Sequence, residues 1–230
     1  MGIKYFVRTT EYSNVNYDLD YEEIKDTKHE YISSYIHALE IINDYDAVLL
    51  EDDCKLCKNF KEEIEKVIAQ YPNNIINFFT APDTYWTTHY TDRFDFNQCT
   101  YFPKGMTYNF AQLMKKENEN GYHTSYGYLL RLVLRQLGIP HLIYRPALVQ
   151  HMDLACGRTG KFLDRSTIFF KDYLDELNID MLQACSMENR EKLRDLLIKD
   201  RQIWCDDRDR AVWYKSLLLN SQLNRKKWPM

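Results

Sequence analysis

Asp46-Ala47-Val48-Leu49-Leu50-Glu51-Asp52-Asp53 is the stretch on which the fold turns: strand-forming apolar residues that end in three consecutive carboxylates. Such a short apolar run predicts a buried strand. Three like charges side by side repel one another, and turns ordinarily mix Gly, Pro, Asn and Asp rather than stacking acids. A divalent cation at the strand's end accounts for the pattern, because a hard cation prefers oxygen ligands and offsets the repulsion. In open α/β sheets ligands bind outside the carboxyl ends of the strands, which is where these acids fall. The plain alternative is an acidic turn after a core strand.

Upstream, Ile3 to Val7 clusters β-formers and predicts a first strand that exits at Arg8-Thr9-Thr10-Glu11. A polar loop follows from Tyr12 to Tyr21. Tyr31, Tyr35, Ala38, Leu39 and Ile42 then keep helical spacing, so strand, helix and strand succeed one another in a βαβ rhythm. Downstream, Phe60 to Gln70 reads as a helix stopped at Tyr71-Pro72-Asn73-Asn74, and Ile75 to Phe79 as a third strand. Thr84 to Gly105 reads as loops with one or two short strands. Helices are expected over Tyr108–Asn118 and Ser125–Leu137, then a strand at Leu142–Tyr144 leading to Pro146-Ala147-Leu148-Val149-Gln150-His151. From Arg165 helical patterns dominate, with Leu193, Leu196 and Leu197 and later Val212, Trp213 and Leu217. The expected architecture is an α/β mixed sheet flanked by helices over residues 1–165, with a helical C-terminal extension over 166–230.

Composition narrows the function. The 230 residues are 45% hydrophobic and 28% charged, which suits a soluble globular chain with one sizeable core and an appendage. A formal net charge of -4 predicts no general affinity for polyanions. No apolar run approaches the about 20 residues that span a bilayer. The start of the chain is too soon polar for a signal peptide, and Phe6 stands where myristoylation needs Ser or Thr. Six cysteines without a signal read as reduced thiols, so a cytoplasmic location is expected. Cys54 and Cys57 form a C-x-x-C with no second pair at zinc-finger spacing, which weighs against zinc.

Three features converge on a nucleotide-sugar site. Glu51-Asp52-Asp53 can hold Mn²⁺ or Mg²⁺ against a diphosphate, and Mg²⁺ needs only one or two carboxylates beside substrate phosphates. The exit of the first strand, with Arg8, Thr9 and Thr10, is where amides and small hydroxyls take a base and ribose. Arg8 is a candidate partner for phosphate, its plain alternative being an ion pair with Glu11 or a surface acid. His151 is a candidate to complete the metal shell from the far end of the domain.

Asp46 to Asp53 followed by Phe60 resembles the core motif of GT-A glycosyltransferases, especially glycosyltransferase family 25, in which an apolar strand, Glu-Asp-Asp and a later Phe recur. Pro146 to His151 is similar to the Pro-Ser-Leu-Val-Gln-His ending of GT-A relatives. The likeness implies a GT-A-like, Rossmann-like fold and transfer of a sugar from a nucleotide-sugar donor, a UDP-sugar being expected, with a divalent metal bridging the donor phosphates. It makes Asp53 the principal metal ligand and His151 the distal one, with Asp52 or Glu51 acting through water or the ribose. Arg158 and Lys161 then belong to a loop that closes over the leaving diphosphate, or are simply solvated cations. The sequence departs from the pattern at the catalytic base. Inverting members often present a carboxylate at the start of a helix between the motifs, and Gly121-Tyr122-His123-Thr124-Ser125-Tyr126-Gly127 has none. Asp83 and His123 are the remaining candidates for the base.

The acceptor is expected at Thr84–Gly105, where Tyr85, Trp86, His89, Tyr90 and Phe94 suit a sugar or a base equally. A bacterial surface glycan and a hydroxymethylated pyrimidine in phage DNA are both compatible, and Arg225-Lys226-Lys227-Trp228 would help hold a phosphate backbone. Two rival classes are a metal-dependent phosphoesterase or nuclease, which lacks a second acidic cluster here, and a non-catalytic nucleotide- or glycan-binding module.

Overall fold

The computed structural model describes residues 2–10, 13, 17–26, 30–79, 87–92, 97–121, 125–152 and 166–207, with the side chains of 201–207 left aside. The first half comprises β1 (Lys4–Thr10), β2 (Glu22–Asp26), α1 (Tyr31–Ile42), β3 (Ala47–Glu51), β4 (Cys54–Leu56) and α2 (Phe60–Gln70). The second runs through β5 (Ile76–Asn77), β6 (His89–Thr91), β7 (Cys99–Phe102), α3 (Thr107–Glu119), α4 (Tyr126–Gln136), β8 (His141–Ile143) and β9 (Val149–His151). α5 (Lys171–Leu177) and α6 (Met187–Asp207) follow. Seven strands form one mixed sheet in the order β2-β1-β3-β7-β5-β8-β6, and β4 with β9 makes a separate two-stranded ribbon. β1 is parallel to β2 and β3, whereas β7 runs antiparallel to β3.

β3 lies inside the sheet and every one of its residues is buried, as expected of a strand covered on both faces. Its side chains alternate between two cores. Val48 and Leu50 join Tyr5 and Val7 against α2, α5 and α6. Ala47 and Leu49 join Phe6 against α1, α3 and α4. The expected helices are present with nearly the expected bounds, because each carries a clear inner face: Ile64, Val67 and Ile68 in α2, Leu129, Leu130, Val133 and Leu134 in α4. Ser125 caps α4, accepting the Tyr128 N–H at 3.1 Å.

The strands differ more from expectation. β5 is two residues long rather than five, and β2 arises in Glu22–Asp26, a segment with no strand signal. Only Ile24 and Asp26 of β2 are buried, as suits an edge strand that shows charge to solvent. The short β6 and β7 are the one or two strands expected in the loop-rich segment. Of the helical residues expected after 165, Leu193 and Leu197 pack into the same core as Tyr5 and Val7, with Leu196 partly buried against it, and Tyr173 and Leu174 of α5 join them. Val212, Trp213 and Leu217 lie outside the described residues. Among the described residues no helix is long and apolar enough to cross a membrane.

Phe6 tests this layering, being fully buried and 5.7 Å from the Tyr45 ring. Phe6→Ala should cost about 3–5 kcal/mol by urea denaturation. A loss under about 1 kcal/mol would mean that the core on that face is not packed.

Candidate functional site

Because β1, β2 and β3 are parallel, their C-terminal residues Thr10, Asp26 and Glu51 meet at one edge of the sheet. A cleft opens there with about 440 Å³ of space, its solvent mouth included. Arg8, Thr9 and Thr10 line it from β1, Asp26 from β2, and Glu51, Asp52 and Asp53 from the end of β3. Tyr31 at the start of α1 and Tyr126 at the start of α4 complete the lining.

The floor is an ion pair fixed by strand register, which sets Arg8 opposite Glu51. Arg8 Nη2 and Nε donate to Glu51 Oε2 at 2.8 and 3.2 Å, and Nη1 donates to the Tyr31 carbonyl at 3.1 Å. The guanidinium also lies 4.4 Å from the Tyr126 ring centre and 5.5 Å from that of Tyr35. Among the described residues the acid that Arg8 pairs with is therefore Glu51, and Glu11 lies outside them. Burial pushes the Glu51 carboxyl up to about 7, against the pull of Arg8 and with a further push from Asp53 and Asp52. Burial also opposes the charge on Arg8, but Glu51 more than offsets it and holds the guanidinium cationic.

Asp52 and Asp53 point to different partners. The Ser13 hydroxyl donates to Asp52 Oδ2 and accepts the Thr10 N–H at 2.7 Å, tying the acid to the end of β1. Burial and the neighbouring Asp53 raise the Asp52 carboxyl, against the pull of Ser13 and Arg8. Asp53 faces His151. β4 pairs antiparallel with β9 so that Cys54 stands opposite His151, and the Met152 N–H donates to the Asp53 carbonyl at 2.8 Å. That register sets His151 Nε2 2.9 Å from Asp53 Oδ2. Burial would raise the Asp53 carboxyl, but the facing imidazole and its hydrogen bond outweigh it and lower it. Asp53 Oδ1 is buried with no hydrogen-bond partner among the described residues.

The two motifs, 98 residues apart, thus meet at one point. The donor set fits a divalent cation in its chemistry: hard carboxylate oxygens, one of them unmet, beside an imidazole. Among the described residues no three His, Cys, Asp or Glu side chains group to hold a metal by themselves. The protein would supply few ligands, the remainder falling to substrate oxygens and water, which is the usual Mg²⁺ arrangement. Cys54 and Cys57 are buried free thiols, and burial pushes the Cys57 thiol up to about 12.

Tyr17 staples the acidic turn, its hydroxyl donating to the Glu51 carbonyl at 2.9 Å and accepting the Cys54 N–H at 3.2 Å. Tyr17→Phe should cost about 1–3 kcal/mol by denaturation, because two backbone groups lose their partner. No measurable change would show that water replaces the hydroxyl there.

Of the residues expected from the sequence, Arg8, Thr9, Thr10, Glu51, Asp52 and Asp53 line one cleft, and His151 joins through Asp53. Asp83, His123, Arg158 and Lys161 lie outside the described residues, as do Tyr85, Trp86 and Phe94. His89 and Tyr90 sit on β6, at the opposite end of the sheet order from β2. Asp26, Ser13, Tyr17, Tyr31 and Tyr126 belong to the site and were not anticipated. Their local signals are slight, the most useful being the Ser125 cap, which places Tyr126 in the first turn of a helix. No protein-family model matches the chain, and the search of curated proteins gives no match.

Proposed function

We propose that the chain is a GT-A-like glycosyltransferase that moves a sugar from a nucleotide-sugar donor to an acceptor hydroxyl with the help of Mn²⁺ or Mg²⁺. The observation that carries this reading is the β4–β9 register, which brings His151 to Asp53 beside a cleft at the carboxyl ends of parallel strands. Packing alone gives no reason to gather Asp52, Asp53 and Glu51 at such an edge. Asp53 and His151 would hold the metal, with Asp52 the further carboxylate beside them. When bound, the cation offsets the charge of the diphosphate leaving group. Thr9 and Thr10 face the nucleoside, a UDP-sugar being the expected donor, and the Arg8–Glu51 pair keeps the cleft floor rigid beneath it. Asp83 and His123 remain the candidates to take the acceptor proton. A surface glycan is the acceptor that the resemblance to family 25 implies, and a hydroxymethylated pyrimidine in DNA is the alternative.

Nucleotide release from UDP- and GDP-sugars, with Mn²⁺ or with EDTA, tests the activity. The expected result is metal-dependent release from one donor and no action on a phosphodiester such as bis-p-nitrophenyl phosphate. Cleavage of the phosphodiester with every nucleotide sugar left intact would contradict the proposal.

A further inference from the structure

Beside the acidic run lies a stretch with several side-chain polar atoms unmet among the described residues. The antiparallel register that sets Leu50 opposite Cys99 carries one step further, where the Glu51 N–H donates to the Gln98 carbonyl at 3.0 Å. Gln98 thus adjoins Glu51 across the sheet, as Glu51 adjoins Arg8. Asn97 and Gln98 are only 4% and 8% exposed. Yet Asn97 Oδ1 and Nδ2 and Gln98 Oε1 have no hydrogen-bond partner among the described residues, nor does Thr100 Oγ1 deeper in β7. Each such group costs about 1–3 kcal/mol, and native proteins hold few of them. Those of Asn97 and Gln98, one strand over from Glu51 and just outside the residues that line the cleft, leave hydrogen-bonding capacity that a ligand could meet.

Gly127 gives an independent sign. A Cβ at this position in the first turn of α4 would lie 3.3 Å from Asn97 Nδ2 and 3.4 Å from Oδ1. Glycine inside a helix costs about 0.5–1 kcal/mol relative to alanine. The chain accepts that cost, and the α4 backbone packs closely on the amide.

Along the sheet edge, Thr9 and Thr10 at the end of β1 come first, Asp52 and Asp53 after β3 next, and Asn97 and Gln98 before β7 last. A nucleotide sugar has parts in the same order: nucleoside, diphosphate, sugar. We propose that Asn97 and Gln98 form the subsite for the transferred sugar, their amides exchanging hydrogen bonds with its hydroxyls. This rests on the nucleotide-sugar reading above. An amide both donates and accepts, as a hydroxyl does, so a neutral polyol satisfies it where an ion would not. The amide atoms are closed off from solvent, so the subsite requires the first turn of α4 to move aside as the sugar enters.

Calorimetry with Mn²⁺ on wild type, Asn97→Ala and Gly127→Ala tests the subsite, comparing UDP with UDP-glucose and UDP-galactose, and GDP with GDP-mannose. Asn97→Ala should keep its Tm or raise it, since an unmet amide is removed, and should bind the free nucleotide as wild type does. Its affinity for the nucleotide sugar should fall about tenfold, the worth of one or two hydrogen bonds. Gly127→Ala should show the same selective loss. Nucleotide and nucleotide-sugar affinities in wild-type ratio in both variants would overturn the subsite alone. A lowered Tm with both affinities falling together would overturn it too, by making Asn97 a packing residue. If wild type binds neither nucleotide nor nucleotide sugar, the donor reading itself fails and takes the subsite with it.

Discussion

Arg8→Ala is expected to lower stability by about 3–5 kcal/mol, the loss typical of a buried ion pair stripped of one partner. Stability of native domains is only about 5–15 kcal/mol in total, so this variant stands near the edge of folding. The reason is local. The side chains of Arg8 and Glu51 are 7% and 9% exposed, and without the guanidinium the carboxylate keeps, among the described residues, only the Tyr126 hydroxyl at 3.4 Å. The Tyr35 and Tyr126 rings, stacked 4.6 Å apart, would also lose the cation they flank. Replacing both partners by apolar residues, Arg8→Met with Glu51→Leu, should recover most of the loss, because no charge is then left buried alone. Urea denaturation of the two single variants and the pair closes a double-mutant cycle, with an expected coupling of about 2–3 kcal/mol. Single-variant losses below about 1 kcal/mol would mean that water screens the pair.

The second large effect concerns Asp53. Asp53→Ala should abolish metal-dependent donor binding, a loss of at least about 100-fold in affinity or about 2.7 kcal/mol, while the fold persists. Basal stability should change little. The variant removes a buried oxygen that has no partner and relieves the like charge of Asp52, and it gives up the His151 contact in exchange. The two effects separate in a thermal melt. Wild type should gain stability from Mn²⁺ and nucleotide together, about 2.7 kcal/mol at 100 times the dissociation constant. Asp53→Ala should gain none and melt at nearly the wild-type temperature without ligand. His151→Ala should fall between them.

Much of this was legible in the chain. An apolar run closed by acids announced β3, and helical spacing announced α1, α2 and α4, because in these segments burial is decided by local pattern. The nearness of His151 to Asp53 was readable only as a pairing of motifs; its cause, the β4–β9 ribbon, consists of strands three residues long with no periodicity to detect. Arg8 gave the opposite lesson. Its neighbourhood suggested a phosphate or an adjacent acid, and the partner seen among the described residues is 43 residues away and set by parallel register. β2 was hidden because an edge strand with two inward residues reads as a charged loop. The tyrosines around the floor, Tyr17, Tyr31, Tyr35 and Tyr126, come from separate segments and converge only in three dimensions.

The most direct measurement is calorimetric titration of UDP, GDP and CMP into wild type and Asp53→Ala, with and without Mn²⁺. The site described here predicts that one nucleotide binds wild type, that binding requires the metal, and that Asp53→Ala loses it while remaining folded. Absence of binding by every nucleotide, or equal affinity in the variant with metal present, would contradict a metal-assisted nucleotide site at the end of β3.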